Sequence, residues 1–183
     1  MLRNQTAPPD ACRAELARQA PIRIRQLRRE AGYPDERVDC AQVSGVQNVD
    51  LANPDADLVL FQAAVCAERA DDLRSAAESY ERVLAISRSK LEPRAMGRVG
   101  KIYARLERLG EAVDRLASYA SRFAGERDAR DAAADAIIFG AALGETSTRL
   151  DELACIFGDP LLRSRPELRC LATRASWNKC VRE

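Results

Sequence analysis

The chain has 183 residues, of which 46% are hydrophobic and 31% charged, and its formal net charge is +1. This balance excludes an intrinsically disordered chain, and near-neutrality argues against a dedicated nucleic-acid binder. Histidine is absent, which removes Ser-His-Asp and Cys-His nucleophile arrangements and the commonest metal ligand together.

Aromatic residues make up only 5%, and the apolar content leans on Ala, Leu and Val. That suits closely packed helices better than a sheet. The charge is unevenly placed: +1 over residues 1–52, −4 over 53–159 and +4 over 160–183.

Taken in order, residues 1–10 read as a polar tail ending in Pro8-Pro9. Residues 11–52 read as an N-terminal cap. Asp10 is placed to cap a helix from Ala11, and Pro21 predicts either two short helices or a kink, the second running to Ala31 with Gly32 behind it. From 32 to 53 no helical period is visible, so an extended connection is expected, pinned through Cys40. Arg23, Arg25, Arg28 and Arg29 form a basic cluster, but without interleaved aromatics it reads as a solvated, salt-bridged face.

Residues 53–159 carry the regular pattern. Asn53-Pro54 predicts a cap and a first-turn proline, followed by a helix with Leu58, Phe61, Ala64 and Val65 inward. Asp71-Asp72 turns the chain, and Leu73, Ala76, Ala77, Tyr80, Val83 and Leu84 recur at helical spacing. Pro93 opens the next helix, and Met96–Leu116 holds the clearest helix pair, with Gly100 and Ala112 as points of close approach. Residues 127–144 and 145–157 predict a third pair without the same small-residue offsets. Gly158-Asp159-Pro160 is expected to end it, and residues 160–183 to add a capping helix from Ser164-x-Pro166.

Ala64 to Gly100 and Ala76 to Ala112 are both 36 residues, an internal repeat. Gly100, Tyr103, Ala112 and Leu116, and more loosely Ala64, Ala67, Ala76 and Tyr80, stand at small, aromatic, small and large positions. In these residues the chain resembles a tetratricopeptide repeat (TPR) protein, with a longer connection near Ser89–Glu92. The resemblance implies an all-α stack of antiparallel helix pairs whose groove holds a polypeptide. Carried over to this chain, first-helix residues Gln62, Arg69, Arg98, Lys101 and Arg105 would contact the guest. A disulfide-braced irregular bundle is the alternative fold.

Six cysteines, Cys12, Cys40, Cys66, Cys155, Cys170 and Cys180, contain no CxxC pair, so structural disulfides in an oxidising compartment are expected. The expected pairings are Cys40 with Cys12 or Cys66, and two of Cys155, Cys170 and Cys180 together. A mature periplasmic or secreted protein follows; a cytoplasmic array with free thiols is the alternative. Asn53–Asp57 lacks the glycine and distal glutamate of an EF-hand loop and reads as helix-start acid.

The functional expectation is a non-enzymatic adaptor binding a protein or peptide, with no cofactor, no metal, no nucleic acid and no membrane span. One rival is a structural subunit of a larger envelope assembly, stacking through its repeats on copies of itself or on a larger machine. Another is a small-ligand binder, marked by a pocket where Tyr80, Tyr103 or Tyr119 meets converging arginines.

Overall fold

The computed structural model describes residues 9–30, 38–43, 49–145 and 147–173. Among these every regular element is helical: α1 Pro9–Arg29, α2 Cys40–Val43, α3 Ala56–Arg69, α4 Leu73–Ala85, α5 Glu92–Arg105, α6 Leu109–Arg122, α7 Ala129–Leu143 and α8 Ser147–Ser164, then a 3-10 helix at Pro166–Thr173. Consecutive helices from α3 to α8 pack on one another, making three pairs: α3/α4, α5/α6 and α7/α8.

One turn joins the helices of every pair. Asp71, Glu107 and Gly144 each adopt left-handed backbone, with φ of 59°, 60° and 74°. The next amide then reaches back five residues: Asp72 N to Ala67 O, Arg108 N to Tyr103 O and Glu145 N to Gly140 O, each 2.9 Å. This is the Schellman arrangement, which satisfies carbonyls left open at a helix end. Two of the three sites use an acidic residue where glycine is the easy choice. Their carboxylates are gripped by arginines, Asp71 by Arg105 at 2.8 Å and Glu107 by Arg28 at 2.6 Å. The third pair therefore repeats the first two in its turn, although its small-residue offsets differ.

Packing follows the sequence pattern at the repeat positions, whereas Leu58, expected inward, is exposed. Ala64, Ala76, Tyr80, Ala112 and Leu116 are fully buried, and Tyr103 nearly so. At Gly100 a Cβ would lie 2.7 Å from Leu116 Cγ, so glycine is what lets α5 and α6 approach. The α7 helix is buried on every side from Ala132 to Ala141, as expected of a helix apolar on nearly every side, Asp135 being the one charged residue in that stretch. It sits between α6 and α8 and beneath α1.

Several local expectations are corrected. Pro21 lies inside one continuous α1; burial of Cys12, Leu16, Ala20, Ile24 and Leu27 along a single stripe offsets the lost backbone hydrogen bond. Helix α3 begins at Ala56, because the Asn53 side chain accepts from the amide of Asp55 at 3.0 Å in a preceding turn. Pro54 thus precedes the helix. Residues Cys40–Val43, expected to be extended, are helical. At Gly158 the expected stop is present as a break: its φ of 54° and ψ of −146° are not helical, and two helical stretches meet there within Ser147–Ser164. The segment after Pro166 is a 3-10 helix rather than an α-helix. Gly32, Trp177 and Cys180 lie outside the described residues.

The cysteine pairing is partly corrected too. Cys40 bonds to Cys66, one of the two expected options, and Cys12 bonds to Cys170, 158 residues away. The sequence grouped Cys170 with its neighbours, but α1 crosses the fold to reach the C-terminal 3-10 helix. Cys155 is also disulfide-bonded. By loop closure alone the long bridge contributes about 5 kcal/mol and the shorter one about 3.5. Disulfides of this kind fit an oxidising environment, and no described helix is long and apolar enough to cross a membrane.

Gly100→Ala should destabilise the protein by about 1–3 kcal/mol through overpacking against Leu116. Gly97→Ala, whose Cβ would meet the Tyr119 ring only at 3.4 Å, should be neutral or stabilising by up to about 1 kcal/mol from helix propensity. Denaturant unfolding of the two variants checks the contrast.

Candidate functional site

The first helices of the pairs, α3, α5 and α7, are the elements on which a guest was expected. The structure lays the chain's own N-terminal segment across all three. Helix α1 packs on α5 and α7, and α2 packs on α3. The segment runs against the order of the pairs: Cys12 meets the C-terminal 3-10 helix, Arg23 meets α7, Arg28 meets the end of α5, and Cys40 meets α3.

Its contacts are of the kind that hold a polypeptide. Beyond the α1 stripe, the Arg28 guanidinium donates to the carbonyl of Arg105 through Nε at 3.3 Å and Nη2 at 3.1 Å, closing an open helix end. Arg69 donates to the carbonyl of Val38 at 3.1 Å, and Arg82 on α4 to that of Val49 at 3.1 Å. Main-chain carbonyls recognised by arginine give grip without reading sequence.

The anchor is Asp135 on α7, whose side chain is 0% exposed. Arg23 meets it with two bonds, Nε to Oδ1 at 2.7 Å and Nη2 to Oδ2 at 3.0 Å. Arg165, before the 3-10 helix, adds contacts at 3.3 and 3.4 Å and itself pairs with Glu167 and Asp131. Burial works against the charge of Arg23, and Asp135 with Glu30 more than restores it. A planar fork against a carboxylate is the geometry arginine favours. Arg23 and Arg28 of the basic cluster are thus spent within the fold.

The five proposed guest-contacting residues have the following places. Arg98 and Arg105 are buried, 5% exposed each. Arg98 donates to the Tyr80 hydroxyl at 2.7 Å, which donates to Glu68 at 3.2 Å; it also lies over the Phe61 ring. Burial pushes the Tyr80 hydroxyl up. Arg105 reaches Asp71 and stands 3.6 Å from Glu68, its Nε without a hydrogen-bond partner among the described residues. Lys101 pairs with Asp128 at 3.2 Å. Gln62 is half-buried, and exposed Arg69 holds Val38. Arg98 and Arg105 therefore bind neighbouring pairs together instead of facing outward. No sequence signal distinguishes a first-helix arginine turned inward from one turned out.

One open cleft of about 700 Å³ lies elsewhere, lined by Arg74, Ala77, Glu78, Glu81, Arg82, Tyr103, Leu106 and Arg108. Tyr103 donates to Glu81 at 3.0 Å, and Arg115 binds Glu81 through two bonds. Burial, reinforced by the Glu81 carboxylate, pushes the Tyr103 hydroxyl up to about 12. Arg108 lies over the Tyr103 ring, 4.7 Å from its centre. Glu81 is thereby satisfied internally. Among the described residues no cluster of three or more Cys, Asp or Glu could hold a metal ion.

These features define the class: an all-α chain of three helix pairs, braced by disulfides and wrapped by its own N-terminal segment. Comparison with protein-family models, curated proteins and solved structures finds no match.

Two outcomes test the electrostatics. Arg23→Ala should cost about 3 kcal/mol by leaving Asp135 buried and under-paired, and a double-mutant cycle with Asp135→Ala should recover much of that loss. Asp128 gives a pH test. Burial opposes its ionised form, but the hydroxyl of Tyr119 and the ammonium of Lys101 outweigh this and hold its carboxyl below the usual aspartate range. Its contribution is therefore full above about pH 5 and fades as pH falls below about 4. Urea unfolding of wild type and Asp128→Asn should differ most at neutral pH and converge in acid.

Proposed function

We propose that the chain is a polypeptide-binding adaptor built on TPR-like helix pairs, working in a periplasmic or extracellular setting. One observation carries this reading: the first helices of all three pairs already hold polypeptide from the same chain, residues 9–29 on α5 and α7 and residues 40–43 on α3. The grip combines an apolar stripe, arginine-to-carbonyl hydrogen bonds and one buried ion pair. A surface with these means can receive a helix or an extended segment of another protein. The absence of histidine and the internal pairing of Glu81 give no support to an enzymatic reading.

A second reading has its own observation. Tyr103 with Arg74, Arg82 and Arg108 around one cleft is the arrangement that would favour a small ligand. Glu78 and Glu81 share the lining, so the site suits a zwitterionic or mixed-charge group better than a simple anion.

A photo-crosslinking residue placed at Gln62, or in the cleft at Glu78, separates the two in the native host. The adaptor reading expects a discrete polypeptide adduct from Gln62 and none from an exposed control position at Glu152. Adducts confined to the chain itself, from every position, would count against it.

A further inference from the structure

We infer that the face of α5 and α7 is a helix-binding surface kept closed by α1, with the Cys12–Cys170 disulfide as its latch. The inference rests on the adaptor reading and names the partner class: an amphipathic helix that replaces α1. Its chemistry is set by what α1 presents. Small and aliphatic side chains recur at Cys12, Leu16, Ala20, Ile24 and Leu27, close to every four residues along one stripe. An arginine stands opposite Asp135. A replacement helix needs both, because Asp135 is wholly buried beneath α1 and a carboxylate there requires a cation.

The latch is placed where it matters. Besides its packing and ion pairs, helix α1 is joined covalently to the rest of the fold on both sides. Beyond its C-terminal end the chain continues to Cys40, itself fixed to α3 by Cys66. Near its N-terminal end the tie is Cys12 to Cys170. Cys12 is 2% exposed, whereas Cys170 is only partly buried, so attack is directed to the Cys170 side of the bridge. A thiolate of an external dithiol attacks Cys170 Sγ, the sulfur–sulfur bond breaks, and Cys12 leaves as a thiolate that takes up a proton. The second thiol of the dithiol then displaces Cys170 from the mixed disulfide; the dithiol ends oxidised and both protein cysteines reduced. With the latch open, α1 is held through one covalent end, and a competing helix can exchange with it.

The experiment uses the full chain in three forms: oxidised wild type, wild type reduced with a dithiol, and the Cys12→Ser/Cys170→Ser double variant, which keeps Cys40–Cys66. The probe is a fluorescein-labelled synthetic peptide of residues 9–30, followed by anisotropy. Saturable binding is expected to the reduced and variant forms, at least tenfold tighter than to the oxidised form. A peptide carrying Arg23→Ala should bind at least tenfold more weakly. Circular dichroism establishes that each form is folded, and hydrogen exchange should show α1 amides losing protection ahead of those in α7. Equal binding to all forms, no binding to either opened form, or indifference to Arg23→Ala overturns the inference. Should the double variant unfold, Cys12→Ala/Cys170→Ala, which also keeps Cys40–Cys66, decides. Polypeptide adducts from Gln62 combined with no peptide exchange would leave the adaptor reading standing and remove only this one.

Discussion

The fold turns on a single carboxylate out of reach of water. Asp135 is enclosed by α7, α1 and the residue before the C-terminal 3-10 helix, and its charge is tolerable only because Arg23 and Arg165 arrive from opposite ends of the sequence. A buried ion pair of this type adds little over a well-packed apolar contact, but losing one partner is expensive. It therefore acts as a registration device. Only the position of α1 that puts Arg23 on Asp135 avoids a stranded charge, and that position also brings Cys12 to Cys170.

The same economy recurs between the pairs. Glu68 stands between two arginines of the following pair, Asp71 receives Arg105, and Glu81 receives Arg115 and Tyr103. Each acid belongs to the first pair and each cation or hydroxyl to the second. Stacked helix pairs draw most of their stability from contacts between neighbours, and here much of that contact is polar. The arginines an outward-facing groove would need are the ones that fix pair to pair, and the N-terminal segment lies over what remains.

How much of this could be read from the residues alone depends on distance along the chain. Helix pairs were legible because Ala64, Ala76, Gly100 and Ala112 report local spacing, and the Asp71-Asp72 turn was visible as a break between two periodic runs. The turns at Glu107 and Gly144 share the backbone of Asp71 but not its chemistry, so only coordinates show the three as equivalent. Pro21 illustrates a local rule overridden by packing: the stripe on either side of it is continuous, and burial decides. The role of Arg23 was out of reach because its partner lies 112 residues on. Nothing in a basic cluster states whether it faces solvent or a buried acid.

Joining Cys12 to Cys170 also changes how the molecule bears load. A pull applied at the two chain ends passes from one strand to the other through the sulfur bridge, and the 158-residue span between them is left slack. The helix pairs would stay folded under tension that would unravel an uncrosslinked array of the same length. As a tether between two larger bodies, such a chain behaves as a short inextensible link while the bridge is intact and as a long compliant one once it is cut.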